Sequence, residues 1–170
     1  KYFAASSETV TLPVRDAGTM AVFSAVNNLA AGGSECFAIM ICLVLPERSE
    51  EVLLQELMRQ IENACAELAI QIAGGHTEVS SGVINPVITV TALGKPITDE
   101  AGALIQTHAS EKGASITDLD IVMTKWIGLE GTSIAAKEKE EKLLERFAPS
   151  FVETAKRFDQ YLSVVPDAKI

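Results

Sequence analysis

The sequence predicts an α/β (α+β) fold in which helices pack on a sheet. Three observations carry this: a continuous apolar run at residues 36–45, an amphipathic stripe between 54 and 68, and a second apolar run at 87–93. Strand and helix signals alternate around them, the pattern of a layered sheet-and-helix domain.

The opening stretch 1–10, KYFAASSETV, reads as a strand that runs into a polar end at Ser6, Ser7 and Glu8. TLPVRD connects it to a helix over 17–31, with Asp16 placed to cap its start and Gly32 and Gly33 to close it. Within that helix Ser24, Asn27 and Asn28 fall at i, i+3 and i+4, so they share one polar stripe. The run 36–45 reads as a strand buried on both faces, and Pro46 ends it.

Ser49 is placed to cap the next helix, whose first turn carries Glu50 and Glu51 at the positive end of the dipole. Leu54, Leu57, Met58, Ile61, Ala64, Cys65 and Leu68 keep helical period along it. A short strand is expected over 70–73, then a loop at Gly74 and Gly75, then a strand over 87–93. Composition shifts at Gly94-Lys95-Pro96, and a polar stretch runs to Leu119. A strand over 120–126, a glycine-bearing turn IGLEGT, a charged helix over 135–147 and a last helix over 151–162 complete the chain. Trp126 reads as a core residue.

Composition limits what such a fold can do. Of 170 residues 48% are hydrophobic and 22% charged, yet no apolar run reaches the roughly 18–20 residues of a membrane span. Fourteen basic against twenty-three acidic residues leave a net charge of −9. That argues against nucleic acid or an anionic membrane as partner, since both demand basic patches. A magnesium nucleotide needs only a few local donors and carboxylates. Cys36, Cys42 and Cys65 form no CxxC pair and read as small buried residues of a reducing compartment, hence a cytoplasmic protein. With no initiator methionine and a strand at once, the chain is expected to start inside a larger protein.

The segment GGHTEV holds the densest set of chemistry-bearing residues. Gly74 and Gly75 would let main-chain N–H groups approach an anion, Thr77 adds a hydroxyl, and His76 or Glu78 could hold a cation. A glycine turn with a side-chain hydrogen bond explains the same letters, and no GxxxxGK[ST] loop is present.

The segments SSETVT, AVNNLAAGGSE, GGHTEV and TKWIGLEGTSIAAK occur in a particular order across the chain. With them the chain resembles the aminoimidazole ribonucleotide (AIR) synthetase superfamily, most closely the hydrogenase expression/formation (carbamoyl dehydratase)-like branch. The resemblance implies an ATP-dependent enzyme that transfers a phosphoryl group, with Mg2+, to a carbonyl or amide oxygen. It implies an N-terminal ATP-binding domain at 1–96, lacking its first segment, and the truncated start of a second α/β domain at 97–170. It further implies a homodimer whose N-terminal sheets pair into a barrel, and a small-molecule or protein-bound carboxamide substrate.

Residue by residue, the resemblance places Asn27, Asn28, Gly74, Gly75, His76, Thr77 and Lys125 at the nucleotide, and Glu8, Asn28, His76 and Glu78 at the metal. Lys125, Gly128 and Gly131 match the turn that opens the second domain. Two positions depart from the pattern. Asn28 and His76 stand where carboxylates are usual, and imidazole suits hard magnesium poorly. The departures leave open a non-catalytic dimerisation or scaffold module that keeps the fold. The resemblance also implies segments beyond both ends, so this stretch alone is expected to be inactive, and its catalytic residues are not named. None of the three cysteines stands where that branch carries its terminal one.

Overall fold

A computed structural model describes residues 3–98 and 126–158. Four strands and two helices form the first part: β1 (Ala4–Val10), α1 (Ala17–Ala31), β2 (Ser34–Pro46), α2 (Glu51–Glu67), β3 (Gln71–Ser80) and β4 (Val87–Pro96). Three shorter helices follow, α3 (Leu129–Glu138), α4 (Glu140–Leu144) and α5 (Pro149–Lys156). The strands form one mixed sheet in the order β1-β4-β2-β3. β4 runs antiparallel to β1 and β2, whereas β2 and β3 are parallel and joined through α2.

Alternation decides which side of the sheet is covered. Val10, Ile39, Ile41, Leu43, Leu45, Ile88, Val90 and Ala92 are buried together with Ala21, Val22, Phe23, Ala25 and Leu29 of α1 and Leu57, Ile61, Ala64 and Cys65 of α2. The intervening residues face the other way. There Ser7 and Thr91 share a hydrogen bond of 3.0 Å, and so do Thr9 and Thr89. Met40 is 47% exposed and Phe37 40%. The expectation that 36–45 is buried on both faces therefore fails within one chain, because both helices lie on the same side.

The helices pack closely where side chains are small or satisfied. A Cβ at Gly18 would approach the Leu57 carbonyl oxygen to 2.8 Å, so glycine lets α1 settle on α2. Beside it the buried Gln60 accepts from the Gly18 N–H at 3.0 Å and donates to the Arg15 carbonyl at 2.9 Å and to Glu56 at 3.0 Å. The expected stripe on α2 is observed. The expected side-chain caps are not: Glu50, not Ser49, occupies the N-cap of α2, and Asp16 makes no side-chain cap bond on α1.

The largest correction concerns the glycine pair. Gly74 and Gly75 form no loop but lie within β3, which runs unbroken past His76, Thr77 and Glu78. Between Ile39 and Met40 the β2–β3 register shifts. Just beyond, a Cβ on Gly75 would collide with the Ile41 carbonyl oxygen. Glycine is here the residue of close backbone approach between parallel neighbours. Further on, the charged helix expected over 135–147 divides at Lys139, whose ψ of 25° interrupts the helical turn. Trp126, expected in the core, is 75% exposed. Cys65 is buried as expected, whereas Cys36 and Cys42 are only half-buried. Lys125, the stretch 99–119 and most of the expected strand at 120–126 lie outside the described residues.

Candidate functional site

The polar stripe of α1 opens onto a cleft of about 540 Å³ between that helix, β1 with the chain that follows it, and α3. Such a volume lies within the range of small-ligand pockets, roughly 300–1,000 Å³. Ser24, Asn27 and Asn28 line the cleft from α1, together with Met20, while Glu8 and Thr9 line it from β1, Thr11 and Leu12 from the chain that follows, and Glu130 from α3. Helical spacing puts the three α1 residues on one face, and strand β1 presents Glu8 toward that same face. Asn28 Nδ2 donates to Glu8 Oε2 at 2.9 Å.

Asn27 is the anomaly. Both polar atoms of its carboxamide are buried, and neither has a hydrogen-bond partner among the described residues. An orphaned buried amide costs about 1–3 kcal/mol, so it persists where another group normally satisfies it. Electrostatics narrows what that group is. Glu8 and Glu130 bring two carboxylates, and no Lys, Arg or His is among the described residues that line the cleft. A bare polyphosphate would be repelled, whereas a divalent cation would be held.

The donors fit magnesium, the metal implied by the family resemblance. Glu8, Glu130 and the carboxamide oxygens of Asn27 and Asn28 are hard oxygen ligands, and magnesium commonly takes one or two carboxylates and completes its shell with water and phosphate. No group of three or more His, Cys, Asp or Glu side chains is arranged for a metal among the described residues. Any cation in the cleft would therefore depend on carboxamides and on its ligand.

His76, Thr77 and Glu78 lie elsewhere. His76 pairs in register with Cys42, Cys42 with Thr89 and Thr89 with Thr9, placing it in the same row but on the far edge strand. Three strand spacings separate β1 from β3, about 14 Å. Paired residues share a face, so His76 and Glu78 sit on the uncovered side of the sheet, opposite the helices and Asn28. There His76 Nε2 lies 3.3 Å from Glu78 Oε2. Within one chain the expected nucleotide and metal residues that are described thus form two groups: Glu8, Asn27 and Asn28 in the cleft, and the Gly74–Glu78 segment on the edge strand β3. Glu130 was absent from the expected set. Its only signal lay in GLEGT, where the glycines drew attention.

Among the described residues, α3 is held against the first part of the chain by Ile134, which packs on the core, and by polar contacts. Lys137 Nζ lies 3.1 Å from Asp16 Oδ2, and the Arg15 N–H donates to Glu138 Oε1 at 3.2 Å. Asp16 holds the expected N-cap position of α1, but its side chain makes the Lys137 contact rather than a cap bond.

Residues 2–95 match the family model of AIR synthase related protein, N-terminal domain. A hydrogenase expression/formation protein of Methanocaldococcus jannaschii is 30% identical over 112 residues, covering 66% of this chain and 33% of its own length. The chain thus spans about a third of that curated relative. The crystal structure of hydrogenase maturation protein HypE in complex with ATP superposes with a TM-score of 0.56 at 24% identity, over 58% of this chain and 32% of that one. Thiamine monophosphate kinase from Aquifex aeolicus superposes with a TM-score of 0.60 at 19% identity, over 99% and 53%. At these identities the two structures establish the fold. With the fold and the match over 2–95 agreeing, the chain belongs to the AIR synthase related protein family through its N-terminal domain.

Proposed function

We propose that the protein is part of an ATP-dependent enzyme that transfers a phosphoryl group, assisted by Mg2+, to a carbonyl or amide oxygen. Within this reading the enzyme is hydrogenase-maturation-like, in keeping with the hydrogenase expression/formation relative. The observation that carries this is the orphaned Asn27 carboxamide in a cleft with two carboxylates and, among the described residues that line it, no basic side chain. A cleft of that charge suits a nucleotide entering as its cation complex. Support also comes from the relative whose structure holds ATP. When bound, Mg2+ would neutralise phosphate charge and align it for in-line transfer. The chain's own part is to orient: Glu8 fixes Asn28 at 2.9 Å, and the α1 stripe positions Asn27 beside it.

The domain division at 1–96 and 97–170 and cytoplasmic location belong to the same proposal, as does a small-molecule or protein-bound carboxamide substrate. So does the homodimer. The uncovered sheet face, with Phe37, Met40 and Cys42, is apolar enough to seek a partner. A second copy is also the route by which the Gly74–Glu78 segment, including Thr77, could reach a nucleotide. Lys125 remains assigned to the nucleotide on the resemblance alone.

Titration calorimetry of the full-length protein with a non-hydrolysable ATP analogue and Mg2+ tests the enzyme reading. Saturable one-to-one binding per chain is expected, and no heat at millimolar analogue would end it. Sedimentation at micromolar concentration tests the dimer, which a stable monomer would refute. One observation favours the scaffold alternative: Asn28 already satisfies Glu8 without any cation. ATP hydrolysis by the native full-length protein would dismiss that alternative.

A further inference from the structure

We propose that Glu130 is a cation-binding residue of the cleft, so that the divalent ion joins the second part of the chain to the first. The proposal rests on the nucleotide reading above and deepens it. Glu130 is carried in the first turn of α3, far along the sequence from Glu8, yet lines the same cleft. Asn28 stands where a carboxylate was expected and donates to Glu8 rather than facing the cavity with charge. Glu130 supplies the lining with a second carboxylate, carried on α3.

The buried, unpartnered Asn27 carboxamide on that cleft is an independent sign that a ligand completes it. The carboxylates of Glu8 and Glu130 and the amide oxygens of Asn27 and Asn28 give one cleft a set of hard donors for a small divalent ion. Because Asp16–Lys137 and Arg15–Glu138 hold α3 in place, ion binding and docking of α3 favour the same arrangement.

The test is Mn2+ binding to the full-length protein, followed by electron paramagnetic resonance with and without a non-hydrolysable ATP analogue. Glu130→Gln should weaken Mn2+ by about tenfold or more, while Glu62→Gln, an exposed charge on α2, should leave it unchanged. Equal Mn2+ affinity in Glu130→Gln and wild type, both folded by circular dichroism, overturns the proposal even if the analogue binds. Glu130-dependent Mn2+ binding without any analogue binding supports it and sinks the nucleotide reading instead. Should Glu130→Gln not fold, Glu130→Asp keeps the charge on a shorter arm. A several-fold loss in that variant supports the proposal, and unchanged affinity overturns it. Wild type that binds no Mn2+ under either condition overturns it as well.

Discussion

Asn28 donates its side-chain N–H to Glu8 at 2.9 Å, tying the C-terminal half of α1 to edge strand β1 where both line the cleft. The bond makes a neutral donor do what a cation would do for a pair of carboxylates.

Replacing Asn28 by Asp therefore has a conditional outcome. In chelator the two carboxylates repel, and thermal stability at neutral pH should fall by about 1 kcal/mol. Repulsion raises the folded-state pKa of the pair above its unfolded value. The loss should thus be present at pH 7 and fade as pH drops below about 4, where both groups are protonated in either state. Millimolar Mg2+ should restore stability at pH 7; failure to do so would place the cation elsewhere.

Asn27→Ala should separate function from folding. Removing an unpartnered buried amide from a helix leaves stability unchanged or raises it by about 1 kcal/mol, helped by the helix preference of alanine. Binding of the ATP analogue with Mg2+ should weaken at least tenfold. A melting temperature several degrees lower would mean that Asn27 has a structural partner instead.

Gly75→Ala should destabilise strongly, by about 2 kcal/mol or more, because the added carbon meets backbone and no side chain can move aside. Gly131→Ala, in α3 with nothing within 4 Å of its Cβ position, should be neutral or gain up to about 1 kcal/mol. Denaturant melts of the two variants check the contrast. Equal stability would refute the tight β2–β3 approach.

Thiol alkylation reads out the two sides of the sheet. Burial, with smaller contributions from Cys36 and Glu62, pushes the Cys65 thiol up to about 11, and its side chain is only 4% exposed. It should resist iodoacetamide at pH 8 until the protein is unfolded. Cys42, half-buried on the uncovered face, should react first. If two copies pair there, its rate should fall as protein concentration rises through the micromolar range. A concentration-independent rate would argue against that interface.

Legibility in the sequence followed the range of the interactions concerned. The stripe of Ser24, Asn27 and Asn28 could be read because helical spacing alone puts its members on one wall, and the apolar stripe of α2 for the same reason. Glu130 could not, since its place depends on how α3 docks through Lys137 and Glu138. Glycines at 74 and 75 suggested a turn, because letters alone do not distinguish φ freedom from close backbone approach; the second applies at Gly75. The apolar run of β2 correctly marked a strand. Its composition could not tell a side covered by helices from one left bare. Asp16 looked like a cap because local bonding is what a window of residues reveals, whereas its partner lies on α3.

Strand β3 ends the sheet, and its outer backbone groups have no partner among the described residues. Residues 71–79 are exposed throughout. Such a rim can template further strands, and what holds molecules apart is the surplus of acidic groups. Near the isoelectric point of about 4.7 that mutual repulsion vanishes. Acidification alone should then bring turbidity and fibrillar, strand-by-strand precipitation, dissolving again only if the pH is raised before the ladders mature.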